Sequence, residues 1–188
     1  MIISEAQLGD EIEIAEIAYS RRYDPSRSQA DLEKHGFLLW TPNADIYRQV
    51  IELTDYFFIA KVEENIVGFL MGYDKKTLME LPSQLKHYDE VIALCVNTLD
   101  NNFIFGDQLV VSSGYNIAAP QLLAYAFQQT RPLDWIGTIL HYPIKNKKSI
   151  QFLSRVSKKN GYMPHLLGEV HQDEVIWGIY QHQYTQQV

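Results

Sequence analysis

Cysteine is nearly absent from these 188 residues: Cys95 stands alone, so no intramolecular disulfide and no cysteine-based zinc site can form. A reducing compartment is expected, and the apolar neighbours Leu94 and Val96 read as the surroundings of a buried, inert thiol. Basic residues are also scarce, 16 against 23 acids for a formal charge of -7. That balance repels a phosphate backbone and excludes nucleic acid as the expected partner. Long apolar runs are missing, which excludes a membrane-spanning helix. The opening MIISEAQLGDE carries acids where a signal peptide carries basic charge, so a soluble, cytoplasmic protein without a membrane partner is expected. The six histidines form neither HExxH nor a paired helical spacing, and no metal site is expected. With 46% hydrophobic and 12% aromatic residues, the chain has the material for one full core and reads as a single domain over 1–188.

The pattern that is present alternates strand and helix. Ile2 to Glu5 reads as a strand, and Asp10 with Glu13 has capping-box spacing ahead of Ile14, Ile17 and Ala18 at helical period. A second helix is expected after Ser28, ending near Gly36, and a third from Thr41-Pro42 through Tyr47, Val50 and Ile51. Between Asp55 and Tyr73 two runs rich in β-branched and aromatic residues flank Glu63-Glu64-Asn65, which predicts a β-hairpin. Pro82 to Leu99 predicts a helix and Phe103 to Ser112 a strand. The turn Ser113 to Asn116 then leads to a helix from about Ala119 to Gln129. A strand from Trp135 to Tyr142, a helix from Asn146 to about Lys159, and strands near His165 to Val170 and Val175 to Tyr184 follow. Gln181 to Gln187 reads as a polar tail.

This order, together with Ile66-Val67-Gly68-Phe69 closing the hairpin, Asp107-Gln108-Leu109-Val110-Val111 running into Tyr115, and Asn146-x-x-Ser149-x-x-Phe152 leading to Asn160-Gly161-Tyr162, resembles the GNAT superfamily of N-acyltransferases over nearly the whole chain. The resemblance implies an α/β (α+β) fold whose central sheet of about seven strands is mixed, mostly antiparallel and flanked by helices. It also implies acetyl-CoA as co-substrate and a primary amine of a small molecule or protein as acceptor, in a monomer or homodimer.

On that resemblance, the pantetheine arm would add to the backbone of Leu109, Val110 and Val111, where this strand splays from the Trp135 to Tyr142 strand. The pyrophosphate would meet the turn Asn116, Ile117, Ala118, Ala119 and Gln121, at the positive end of the following helix. This turn departs from the family pattern of Gln or Arg, two residues, Gly, one residue, then Gly or Ala, whose places fall on Asn116, Ala119 and Gln121. Ala119 keeps a β-carbon, Pro120 lacks an N–H, and no Lys or Arg lies between Tyr115 and Gln121. Pro120 is equally read as the first residue of the helix.

The N–H of Val110 or Val111 would polarise the thioester carbonyl. Asp107 is the candidate base, the alternative being a solvated residue beside Gly106. The position at which many relatives carry an acidic tyrosine holds Leu153, so Tyr142, otherwise a packing residue, is the candidate acid. Asn146 either contacts pantetheine or caps its helix. A catalytically inactive, CoA-binding or protein-interaction module of the same fold is the alternative reading, motivated by the altered turn. Arg21, Arg22 and Arg27 form the one compact basic cluster, suited to an acceptor's carboxylate or phosphate or to plain solvation.

Overall fold

A computed structural model describes residues 1–28, 30–32, 36–82, 85, 89–99, 103–142, 144–172 and 174–185. The elements are β1 (Ile2–Glu5), α1 (Glu11–Ser20), α2 (Ala44–Leu53), β2 (Phe57–Val62), β3 (Asn65–Asp74), α3 (Lys75–Glu80), α4 (Asp89–Thr98), β4 (Phe103–Val111), α5 (Ala118–Gln129), β5 (Asp134–Tyr142), α6 (Lys147–Lys159), β6 (Tyr162–Gln172) and β7 (Val175–Tyr184). Seven strands form a mixed sheet in the order β1-β2-β3-β4-β5-β7-β6. The β4–β5 pair is parallel, whereas β1–β2, β2–β3, β5–β7 and β6–β7 are antiparallel. The chain packs as two units, residues 1–72 with 108–129, and residues 73–107 with 130–188.

In the first unit, the alternation of a strand sends consecutive phenylalanines of β2 to opposite faces. Phe57 meets Tyr47 of α2 and Phe69 of β3, with ring centroids 6.2 and 5.8 Å away. Phe58 meets Tyr125 of α5 edge-on at 5.4 Å. Helices α2 and α5 therefore cover opposite faces of the β2–β3 hairpin, and each ring is sealed from water on its own side.

Gly68 sets how closely β3 approaches the end of β4. A Cβ there would lie 2.8 Å from the Val110 carbonyl oxygen and 2.8 Å from Val111 Cγ1. Buried Gln108 ties β4 to the helical side: Tyr47 Oη donates to its Oε1 at 2.8 Å, and its Nε2 donates to the Trp40 carbonyl at 3.2 Å.

In the second unit, α6 packs on β6, and the β5-β7-β6 sheet carries two bulges, at Leu140/Tyr142 and Leu166/Gly168. Buried His182 is hydrogen-bonded to Ser157 of α6, Nδ1 to Oγ 2.7 Å. Burial, with a smaller contribution from His165, pushes its pKa down to about 4, so it sits in the sheet as a neutral ring.

Some sequence expectations require correction. Asp10 and Glu13 make no capping box: Asp10 accepts from Gln7 N–H and pairs with Lys61, and Glu13 accepts from Ile66 N–H of β3. Long-range partners took both carboxylates. Helix α2 is capped by Asn43, which accepts from Ile46 N–H, and not by Thr41. Gln181 is a strand residue donating to Asp134, because β7 runs through it to Tyr184. Helix α3, capped by Asp74 through Thr77 N–H, was not expected. The helix expected after Ser28 falls partly on residues 29 and 33–35, and that of Pro82 to Leu99 partly on 83, 84 and 86–88, all outside the described residues; Asp89–Thr98 is helical. Cys95 is buried, its thiol pushed up to about 12.

Candidate active site

Strand β4 carries the residues with the most chemistry. Its ladder with β5 runs from Phe103↔Asp134 to Gly106↔Gly137 and ends there, although both strands continue for five residues. Beyond that point, within the first unit, the Val110 carbonyl lies against Gly68 of β3, and Ser112 N–H donates to Val67 O at 2.9 Å. Residues 110 and 112 thus face β3, and strand alternation turns the N–H and C=O of Leu109 and Val111 the other way. This separates the two amides the sequence left open: Val111 N–H points away from the sheet neighbour, Val110 N–H towards it. The Val111 carbonyl accepts from Arg21 Nε at 3.0 Å, placing a part-buried guanidinium at the end of β4.

The segment after β4 is a tight turn. Tyr115 N–H donates to Ser112 O at 3.2 Å and Ala118 N–H to Tyr115 O at 2.8 Å, with Gly114 at φ +88° supplying a left-handed bend. Ala118 is fully buried and its amide is spent within the turn. Among the described residues, the amides of Asn116, Ile117 and Ala119 have no hydrogen-bond acceptor. Helix α5 starts at Ala118, so Pro120 is its third residue and not its first. No side chain caps this end: Ile117, which precedes it, is 63% exposed and has nothing to offer an N–H, and the first turn holds no acid. Exposed Gln121 follows in the same turn. A helix start with unspent amides and positive partial charge is suited to an anion.

In the second unit, Asp107 combines a charged group with a sealed position. Its residue keeps some surface, but Oδ1 is buried and has no hydrogen-bond partner among the described residues. Burial pushes the pKa up to about 7, which puts both protonation states within reach near neutral pH. Tyr142, at the end of β5, is 55% exposed. Asn146 caps α6, its Oδ1 accepting from Ser149 N–H at 3.1 Å, and its own N–H donates to the Leu140 carbonyl. Its amide oxygen is spent on the cap; the NH2 group keeps its donors.

Two further features escaped the sequence. In the first unit, a groove of about 770 Å³ runs between α1 and residues 39–44, lined by Glu16, Tyr19, Arg22, Leu39 and Trp40 among others. The Gln108 clamp on the Trp40 carbonyl holds one wall. In the second unit, His141 Nδ1 donates to Glu169 Oε1 at 2.5 Å, while its Nε2 lies 3.0 Å from Tyr180 Oη. Nothing in the spacing of residues 141, 169 and 180 signals this, because a bulge and two strand pairings bring them together. The described residues hold no cluster of His, Cys, Asp or Glu suited to a metal ion, and no helix among them is long and apolar enough to cross a membrane.

This strand, turn and helix sequence within a seven-stranded mixed sheet is the fold of the GNAT acetyltransferases. The chain superposes on the diaminobutyrate acetyltransferase EctA from Paenibacillus lautus, solved with L-2,4-diaminobutyric acid and coenzyme A (TM-score 0.60, 13% identity, 100% of this chain and 97% of that one). It also superposes on Ard1 from Thermoplasma volcanium (TM-score 0.63, 12% identity, 98% of each chain) and on a GNAT-family acetyltransferase from Bacillus cereus ATCC 10987 (TM-score 0.55, 15% identity, 98% of each chain). No family model matches the sequence, and no curated protein does.

Proposed function

We propose that this chain is an N-acetyltransferase that moves an acetyl group from acetyl-CoA to a primary amine of a small molecule or protein. The observation that carries the reading is the β4–α5 segment. Leu109 and Val111 turn backbone groups outward past the end of the β5 ladder, and the strand leads into a helix start where, among the described residues, the amides of Asn116, Ile117 and Ala119 are unspent. Strand-like pairing to pantetheine amides needs the first, and binding of a pyrophosphate needs the second. The EctA structure supports this pairing of fold and ligand, since it holds coenzyme A and a diamine.

Acetyl-CoA would supply an activated acyl carbon and a thiol leaving group; the rest falls to the chain. In the first unit, Val111 N–H would be the donor for the acyl oxygen, and Asn116, Ile117 and Ala119 would hold the diphosphate; in the second, the NH2 group of Asn146 is of the kind that pairs with a pantetheine carbonyl. Asp107 takes a proton from the acceptor amine directly or through water, as a carboxylate with a raised pKa is fitted to do near neutral pH. The groove between α1 and Trp40 is the acceptor's place: Glu16 would attract the ammonium group of a cationic amine, and Tyr19, Leu39 and Trp40 would cover its apolar stem.

Calorimetry and thermal shift with acetyl-CoA test the reading. Binding raises the melting temperature by mass action, and release of free thiol with a panel of amines then shows turnover. Saturating acetyl-CoA with no shift would overturn it. A second reading, a CoA-binding module without turnover, is favoured by Pro120, which deletes one amide from the anion site, and by Arg21, which occupies the Val111 carbonyl. Binding without thiol release would select it. The protein is proposed to act in the cytoplasm as a monomer or homodimer.

A further inference from the structure

We infer that the acceptor taken by the groove along α1 carries a carboxylate beside its amine and that Arg22 holds this carboxylate, so that the substrate is an amino acid and not a purely cationic polyamine. This rests on the transferase reading above and narrows it. The starting point is the basic cluster near the end of α1, whose three arginines have different fates. Arg21 Nε donates to the Val111 carbonyl at 3.0 Å, and Arg27 is paired with Asp31. The Arg22 side chain lines the groove and has neither a hydrogen bond nor an ion pair among the described residues.

Among the described residues, the groove is lined by one acid, Glu16, and one base, Arg22, with Tyr19, Leu39 and Trp40 beside them. Glu16 likewise has no ion pair among the described residues, so the two charges do not neutralise each other. Backbone hydrogen bonds fix where they stand. Helix α1 ends at Ser20, and Arg22 N–H closes a turn onto the Tyr19 carbonyl at 3.0 Å. Leu38 N–H donates to Arg21 O and Tyr23 N–H to Leu38 O, each at 2.8 Å, which bridges the backbone of Arg22 to Leu38. Leu38 runs directly into Leu39 and Trp40 of the opposite wall, so the walls are joined at Arg22. Glu16 stands back from there, roughly 6 Å along the helix axis from Ser20. A small molecule with opposite charges a few bonds apart reaches both. Arg21 meanwhile ties this end of α1 to the end of β4 within the same unit, beside the Val111 amide assigned to the acyl oxygen.

Charge then decides the class of acceptor. With 23 acids against 16 bases, the chain as a whole draws in any polycation. Inside the groove, a diamine meets Glu16 with one ammonium group and is repelled at Arg22. A carboxylate on the same molecule turns that repulsion into a charge-assisted pair, because the planar donors of a guanidinium match the two oxygens. Glu16 thus favours amines in general, and Arg22 discriminates among them.

The test uses acceptors that differ only in a carboxylate: lysine against cadaverine, and ornithine against putrescine, with thiol release from acetyl-CoA as the readout. The native protein is expected to favour the amino acid of a pair about 10-fold in kcat/KM. In Arg22→Ala the ratio should fall to about one, in Arg22→Glu it should invert, and Arg22→Lys should keep most of it. Glu16→Gln should slow both members of a pair alike. The native preference should also shrink with added salt, as an exposed charge pair does and a steric preference does not. A native preference for the diamine, equal use of both, or a preference that survives Arg22→Ala overturns the inference and leaves the transferase reading standing. Acetylation of other amines but of none of these four does the same. Acetyl-CoA binding without turnover of any amine overturns it in favour of the module without turnover. If acetyl-CoA neither shifts the melting temperature nor releases thiol with any amine, the transferase reading falls and takes this one with it.

Discussion

The starts of helices α5 and α6 are built in opposite ways. At α6, Asn146 closes the first turn with its own side chain, so the helix end is satisfied before any ligand arrives. At α5, an exposed isoleucine sits where a cap would be, and the amides of Asn116 and Ile117 are left without acceptors among the described residues. Adjacent residues of β4 repeat the contrast: Gln108 is buried with both amide atoms bonded, whereas Asp107 Oδ1 is buried with no partner among the described residues. A fold ordinarily satisfies its buried polar groups, so those it leaves open are where an outside partner is expected.

The contrast on β4 can be broken with the largest effect. Asp107→Asn is expected to lower amine acetylation about 100-fold by removing the base. It should also remove a pH trend in stability. With a folded pKa of about 7 against about 4 unfolded, the native state holds the proton between those values. Stability of the native protein therefore declines as pH rises through that window and is flat above it. The variant should melt higher than native protein at pH 8 and match it at pH 4; matching melts at pH 8 would show that the carboxylate is solvated.

Ile117→Asp makes α5 resemble α6. An acid there caps the helix, raising stability by roughly 0.5–1 kcal/mol, and competes with an incoming anion, so acetyl-CoA affinity should drop about 10-fold by calorimetry. Unchanged affinity would place the diphosphate elsewhere. Asn146→Ala makes the reverse change and should cost about 1 kcal/mol, roughly 3 °C in a chain of this size. A fall in acetyl-CoA affinity beyond that loss would assign the free NH2 group to the ligand. The smallest effect is expected from Ala119→Gly, which removes the β-carbon at the turn and should tighten binding a few-fold; no change would count against contact at that amide.

His182 supplies a pH effect of opposite sign to that of Asp107. Its pKa of about 4 in the folded protein lies below the unfolded value near 6.5, so stability is lost as pH falls through that interval. Melting curves of His182→Gln should flatten in this range relative to native protein.

The element order was legible because periodicity is local. The β2–β3 hairpin and the β4, α5, β5, α6 succession follow from alternating and helical apolar spacing, and a cap was one of the two readings of Asn146. The capping box at Asp10 and Glu13 gave way to partners distant in sequence, Asp10 going to Lys61 and Glu13 to Ile66, whereas at α2 a local rival, Asn43, displaced Thr41. Asp107 was visible as a candidate from its place in the strand; its missing partner was not, since desolvation depends on everything packed around it. The Glu169–His141–Tyr180 contact left no trace in spacing at all.

By itself, the sequence determined most of the strands and helices, helix α3 excepted, because periodicity depends on residues a few positions apart. Only the tertiary structure decided which polar groups found partners. It turned Val111 and not Val110 away from β3, spent the Ala118 amide within its own turn, and set a bulged histidine over Gly178. Hydrogen bonding and burial are set by atoms brought together from distant parts of the chain, and chemistry at a site depends on which of those bonds are left unmade.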